Sequence, residues 1–380
     1  MLSKDEKEIL IIAGESSGDL HGGALVKNLL QLNPQLKIYG IGGDNMQKEG
    51  MYLIYHINKM AFLGFLEVIK HLPFIKKVQK DLLNFVNVKK IKNIVLIDYP
   101  GFNLNIANKF KKHSLNIIYY ISPQIWAWGS GRIKKIKKLV NKMLVVFPFE
   151  EKMYRENSVD SFFVGHPLIS RLNEYKFLTK EELYKKLKLD ENKQILLLLS
   201  GSRKQEVRSI FPECILAARS LSEKYNLQIV VACSENIDKE LFYSLTDYNN
   251  FKVASGVTYD LLKHSKFGII KSGTSTLEAA LLELPMVIVY KTSSITYLIG
   301  KSLVTIKEIG MANILADKKI VPELVQSNVK EKIIFDEVEK FLLNDKLYNK
   351  TKLELKKIKE SLGKEDASKK AAELIISSLV

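Results

Sequence analysis

Residues 267–290 decide the fold. Phe267-Gly268-Ile269-Ile270-Lys271 reads as a short buried strand and Ser272-Gly273-Thr274-Ser275-Thr276 as a turn of small hydroxyl residues. Leu277 to Leu284 then reads as a helix that Pro285 stops, and Met286-Val287-Ile288-Val289-Tyr290 as the next strand. A β–turn–α–β unit of this length builds a parallel sheet. Its turn suits an anion, because glycine lets backbone approach a ligand and the first helical turn offers free N–H groups. Glu278, early in that helix, has two readings: it complements the helix dipole, or it accepts hydrogen bonds from paired sugar hydroxyls.

Working outward, the same pattern recurs. In the first half, Ile9–Ala13 is a strand running into Gly14-Glu15-Ser16-Ser17-Gly18-Asp19-Leu20-His21-Gly22-Gly23, with a helix expected over 24–32. Ile38–Ile41 meets Gly42-Gly43, and Ile94–Ile97 ends at Asp98, followed by Tyr99-Pro100-Gly101-Phe102-Asn103. A carboxylate there points into the crevice where α/β sheets bind ligands, unless it serves as an Asx-turn residue before the proline. Ile117–Ile121 leads to Ser122-Pro123-Gln124-Ile125-Trp126-Ala127-Trp128, which holds both tryptophans. These rings either shape a pocket or pack under their loop. In the second half, Ile195–Leu199 precedes Ser200-Gly201-Ser202-Arg203, a turn that offers amides, a hydroxyl and a guanidinium to a diphosphate. Strands follow at 229–232 and 251–253, and a helix is expected from Pro322. Neither the dinucleotide fingerprint nor the P-loop spacing occurs.

With 380 residues, 46% of them hydrophobic and 26% charged, the chain has the composition of a soluble protein of two domains. Cys214 and Cys233 have no metal-ligand spacing and read as buried thiols of a reducing compartment. The N-terminus lacks the pattern of a signal peptide, and no apolar run approaches the roughly 20 residues of a membrane span. A cytoplasmic location is therefore expected. The net charge of +16 implies an anionic partner or a lysine-rich proteome. Two stretches suit a phosphorylated lipid. Residues 60–85 carry Phe62, Leu63, Phe65, Leu66, Val68 and Ile69 beside several lysines. A helix expected over 132–144 sets Arg132, Lys134, Lys135, Lys137, Lys138 and Lys142 opposite an apolar stripe. Each has the plain alternative of a core helix or a solvated face.

Taken in order, Gly14–Asp19, Gly40–Gly43, Ile97–Asn103, Ser122–Trp128, Val164-Gly165-His166-Pro167-Leu168, Gly201–Arg203 and Ser272–Glu278 resemble the motifs of the lipid-A-disaccharide synthase family, from about residue 9 to about residue 326. Ser16, Tyr99 and Gly101 depart from the family's commoner residues. The resemblance implies an α/β protein of GT-B type: two Rossmann-like domains facing across a cleft. The acceptor domain is expected at 1–168 and the UDP-sugar domain at 169–345. A C-terminal helical segment is expected at 346–380, with a return to the first domain or packing on a partner chain as its two options.

The resemblance further implies an inverting transfer from UDP-2,3-diacylglucosamine to 2,3-diacylglucosamine 1-phosphate. Asp98 is the implied general base and Glu15 the alternative. Arg203, Gly201, Ser202, Gly273, Thr274, Ser275, Thr276, Glu278 and Asn313 fall on the donor side. Ser17, Asp19, Trp126, Phe62, Phe65, Leu66, Arg132 and Lys135 fall on the acceptor side. No metal or other cofactor is expected. The partners are the two sugar substrates and the inner face of the cytoplasmic membrane, not nucleic acid, and the protein is a monomer or homodimer. The competing readings are a UDP-N-acetylglucosamine 2-epimerase and a non-enzymatic basic protein on membrane or nucleic acid.

Overall fold

The computed structural model describes residues 7–60, 71–127, 131–293, 297–298 and 307–380. The chain forms two compact units, residues 1–173 with 362–380, and residues 174–361. The boundary lies five residues beyond the one expected at 168/169. The segment 346–380 is not one piece, since its first part stays with the second unit and only Leu362–Val380 joins the first.

The first unit is a seven-stranded sheet in the order β3-β2-β1-β4-β5-β6-β7, with every neighbouring pair parallel. Its elements are β1 (Glu8–Ala13), α1 (Ser16–Leu32), β2 (Lys37–Gly42), α2 (Asp44–Lys48), β3 (Tyr52–His56), α3 (Leu72–Lys89), β4 (Asn93–Ile97), α4 (Pro100–Phe110), β5 (Asn116–Tyr120), α5 (Arg132–Leu139), β6 (Lys142–Val145), α6 (Pro148–Glu156), β7 (Ser161–Phe163) and α7 (Pro167–Glu174). Strands buried on both faces carry near-continuous apolar runs, and Ile9 to Ala13 and Ile94 to Ile97 are fully buried. The strand order reverses between β1 and β4, the switch point at which open α/β sheets bind ligands.

The second unit repeats this plan with six parallel strands, ordered β10-β9-β8-β11-β12-β13. It contains α8 (Lys180–Leu187), β8 (Gln194–Leu199), α9 (Lys204–Tyr225), β9 (Leu227–Ala232), α10 (Glu240–Tyr243), β10 (Phe251–Ala254), α11 (Thr258–His264), β11 (Phe267–Lys271), α12 (Thr274–Leu281), β12 (Met286–Tyr290), α13 (Met311–Ala316), β13 (Glu323–Val325), α14 (Glu331–Leu342) and α15 (Asp345–Ser361). Here the switch point lies between β8 and β11. The last helix of the chain, α16 (Ala367–Ile376), packs on α1 in the first unit.

Four expectations change. The stretch 16–23 is helix rather than turn. Its glycines serve close packing, since a Cβ at Gly22 would lie 2.5 Å from Met46 Sδ and one at Gly23 3.0 Å from Asn45 Cβ. The basic helix stops at Leu139, because Lys142–Val145 is drawn into the sheet beside β5. Thr274, Ser275 and Thr276 form the first turn of α12, where the Thr276 hydroxyl donates back to the Gly273 carbonyl at 2.8 Å. The segment after Pro322 is an edge strand, its residues 323–325 paired with Ile288–Tyr290. The apolar cluster at 62–69 lies outside the described residues.

Candidate active site

In the first unit, β1 and β4 are register partners at their last residues, Ala13 and Ile97. Glu15 and Asp98 therefore leave the sheet side by side at the switch point. Asp98 and Tyr99 both take left-handed backbone, at φ 44° and 47°, which is uncommon for residues other than glycine. Several hydrogen bonds hold that bend. The Asn103 side-chain amide donates to the carbonyls of Asp98 at 2.8 Å and Ile97 at 3.1 Å, and the Tyr119 hydroxyl donates to the Asp98 carbonyl. The Asp98 amide donates to the carbonyl of Tyr120 at 3.1 Å. The Tyr99 ring lies where a Cβ at residue 14 would stand, so Gly14 is required there. Burial, then the charge of Glu15, push the Asp98 carboxyl up to about 6, against the pull of the Tyr99 amide. A carboxylate raised this far is a better proton acceptor than an ordinary aspartate and still ionises near neutral pH.

The other residues expected on this side divide. Glu15 and Ser17 are exposed at the start of α1. Asp19 is only 3% exposed. Its carboxylate accepts from the amides of Gly43 (2.6 Å), Asn45 (3.1 Å) and Met46 (3.1 Å) and from the Asn45 side chain (2.7 Å). It fastens the β2–α2 turn and has no capacity left for a substrate. Trp126 is half-buried, with its indole N–H donating to Glu150 at 3.0 Å. Arg132 and Lys135 are exposed on α5. Phe62, Phe65, Leu66 and Trp128 lie outside the described residues.

In the second unit the two turns at the switch point are tied together. Gly201 has φ 128°, and a Cβ there would lie 2.7 Å from Glu206 Cβ. Glu206 accepts from the Ser202 amide at 3.1 Å and pairs with Lys271 Nζ at 3.0 Å. Burial pushes the Glu206 carboxyl up, but Lys271, the Ser202 amide and Arg203 outweigh it and hold it below its ordinary value. The Ser202 amide is thus engaged within the turn, while Arg203 stands exposed at its edge. Gly273 (φ 155°) lets the chain enter α12, with Gly273 and Thr274 exposed and Ser275 half-buried. Glu278 accepts a hydrogen bond from the Tyr259 hydroxyl at 3.3 Å.

Two residues expected on the donor side are structural. Thr276 is fully buried, donating to Gly273 and accepting from the Met311 amide at 3.4 Å. Asn313 is also fully buried. Its amide donates to the Val321 carbonyl (2.9 Å) and Glu323 (2.8 Å), and its oxygen accepts from the amides of Ile320 (2.8 Å) and Val321 (3.0 Å). All four positions of the side chain are used, and it locks the turn that leads into β13.

Sequence reasoning missed Glu150, Tyr119 and the Lys271–Glu206 pair. Glu150 had a legible signal as an acid three residues after Phe147, with Pro148 between them, the pattern of a helix start. The others depend on strand neighbours far apart in the chain. Among the described residues no group of three or more His, Cys, Asp or Glu is placed to hold a metal ion, and no helix is long and apolar enough to cross a membrane.

Two parallel α/β sheets, each with glycine turns at its switch point, define a protein of the GT-B class. Solved structures agree in fold. A glycosyltransferase of kitacinnamycin superimposes with a TM-score of 0.67 at 11% identity, over 98% of this chain and 99% of its own. The UDP-GlcNAc 2-epimerase of Neisseria meningitidis, bound to UDP-GlcNAc, gives 0.66 at 12% identity, over 97% and 100%. Identities this low carry the architecture alone, so the epimerase alternative rests on fold only. The profile of the lipid-A-disaccharide synthetase family matches residues 9–376. The lipid-A-disaccharide synthase of Geobacter sulfurreducens is 36% identical over 382 residues, covering 100% of this chain and 99% of that protein. The chain belongs to the lipid-A-disaccharide synthetase family. It is a glycosyltransferase of lipid A disaccharide synthesis.

Proposed function

We propose that the chain joins UDP-2,3-diacylglucosamine to 2,3-diacylglucosamine 1-phosphate, giving a β(1→6)-linked disaccharide 1-phosphate and UDP. The observation that carries this reading is Asp98, raised to about 6 by burial and by Glu15 at the switch point of the first unit. Its carboxylate takes the proton of the acceptor 6-hydroxyl as that oxygen attacks the anomeric carbon. The bond from the anomeric carbon to the diphosphate oxygen breaks, and the electron pair leaves with UDP. Even at about 6, Asp98 is a modest base. Positioning and stabilisation of the leaving diphosphate supply the larger part of the rate.

The donor roles fall on the second unit. Arg203 pairs with the diphosphate, and the exposed N-terminus of α12 at Gly273, Thr274 and Ser275 adds amides and partial positive charge. Gly201 lets the backbone come close, and Glu278 accepts from the ribose hydroxyls. Glu206 and Lys271 hold the turns in place for this purpose. Ser17 and Trp126 serve the acceptor in the first unit. Arg132 and Lys135, with the other exposed cations of α5, suit the 1-phosphate or anionic headgroups. The acylated substrates favour work at the inner face of the cytoplasmic membrane, as a peripheral monomer or homodimer.

The test is UDP release from UDP-2,3-diacylglucosamine in detergent, with and without the monosaccharide 1-phosphate. Release that depends on the acceptor, with disaccharide formed, is the expected result. UDP binding without release would assign the scaffold to a different sugar or acceptor.

A further inference from the structure

The second unit has a charged cluster of its own over a strand pair. Leu199 and Ile270 are register partners near the carboxyl ends of β8 and β11, the two strands of the switch point. Lys271 follows as the last residue of β11, after four buried residues, Phe267 to Ile270. Its own side chain is 21% exposed.

The ammonium is fixed from two directions. Nζ lies 3.0 Å from Glu206 Oε1, and Oε2 of the same carboxylate accepts from the Ser202 amide at 3.1 Å. The charge of Arg203 acts on that carboxylate as well. On the other side Nζ borders Gly273. Among the described residues, a Cβ built on Gly273 would have one heavy atom within 4 Å beyond its chain neighbours, Lys271 Nζ at 3.7 Å. The bare face of this exposed glycine therefore looks onto the ammonium and onto nothing else that near.

Tying the two turns together uses only part of what an ammonium offers. It has three N–H donors, and among the described residues Glu206 is its only ionic partner. Gly273 is also the N-cap of α12, so Lys271 stands against a helix start whose first amides have no helical acceptor. That end of a helix is already positive, and a cation held there is unfavourable unless an anion lies nearby. Glu206 offsets part of this repulsion, and a diphosphate would meet the rest.

We propose that Lys271 is a second cationic ligand of the donor diphosphate, its ammonium reaching the phosphate oxygens across the bare face of Gly273 while Glu206 holds it in place. The proposal rests on the donor role given above to the second unit. As the bond to the anomeric carbon breaks, its electron pair stays on the diphosphate, and the added charge falls beside Nζ, Arg203 and the α12 amides. Glu206 orients Lys271, but its own charge opposes the diphosphate.

The experiment measures UDP affinity by titration calorimetry and uridine affinity by saturation-transfer NMR for the wild type, Lys271→Met, Lys271→Arg and Glu206→Gln, with acceptor-dependent UDP release alongside. Lys271→Met keeps the length of the side chain and removes its charge. It should weaken UDP binding about tenfold, lower kcat for UDP release, and leave uridine affinity where it was. Lys271→Arg should recover most of both losses. Glu206→Gln keeps an acceptor for the Ser202 amide and removes the opposing charge, so UDP should bind about threefold more tightly. A lysine that merely ties the turns would give another pattern, with UDP and uridine weakened alike in Lys271→Met and UDP weakened in Glu206→Gln. That pattern, or an unmoved UDP affinity in Lys271→Met, overturns the proposal. Should Lys271→Met give no cooperative thermal melt and so not be folded, Lys271→Gln carries the same test with the same expectations. A wild type that does not bind UDP refutes the donor reading, and this proposal with it. Wild-type UDP binding that the loss of the lysine charge leaves intact refutes only the proposal.

Discussion

Glu15 and Asp98 stand over one strand pair, Ala13 beside Ile97, and the charge of Glu15 adds to burial in lifting the Asp98 carboxyl to about 6. A base must be ionised to work, so kcat/KM should fall as pH drops through about 6. Replacing Glu15 by Gln removes the repulsion while leaving the burial. The acid limb should then move to lower pH, read from a pH–rate profile of both proteins. An unmoved limb would show that Glu15 does not act on Asp98.

The turn at Ser200–Arg203 depends on glycine at 201. Its φ is 128°, and a Cβ would meet Glu206 at 2.7 Å. Gly201→Ala should push Glu206 away from the Ser202 amide and Lys271. UDP affinity should drop about tenfold, or about 1.4 kcal/mol, as titration calorimetry would measure.

Much of this was legible in the sequence, for identifiable reasons. Buried parallel strands announce themselves as short apolar runs, so the strands at 9–13, 94–97, 195–199, 267–271 and 286–290 were readable within a residue or so of their ends. The start of α1 was not, because Gly18, Gly22 and Gly23 look like turn residues when only local propensity is considered. Gly22 and Gly23 serve contact with Met46 and Asn45, which no local window contains. The strand after Pro322 was hidden for the same reason, since a three-residue edge strand exists only through its partner.

The site was legible in the types of residue but not in their partners. Asp98 and Glu15 could be read as a pair of strand-end carboxylates. That Asp19 and Asn313 are spent on backbone amides follows only from the fold. Asn313→Ala should therefore act on stability. It leaves the buried Val321 amide, the half-buried Ile320 amide and the Val321 carbonyl without this partner, at a cost of roughly 3 kcal/mol. Denaturant titration should report that loss, with UDP affinity per folded molecule unchanged.

His166 offers a separate prediction. Burial, with His21 nearby, lowers its pKa to about 3 from the ordinary 6.5, so the folded protein binds fewer protons here than the unfolded chain. Stability from this group is full above about 6.5 and is lost as pH falls toward about 3. His166 Nδ1 accepts from the Leu168 amide at 3.1 Å, a role that an Asn oxygen can fill. Thermal melts of His166→Asn should show a weaker loss of stability between pH 6.5 and pH 4 than the wild type.

The most direct measurement compares Asp98→Asn with the wild type in acceptor-dependent UDP release, alongside UDP binding. The substitution keeps the size of the side chain and removes its capacity to take a proton. Turnover should fall by at least about a hundredfold while UDP binds as before. Near-normal turnover in Asp98→Asn would contradict the assignment of the base and the mechanism built on it.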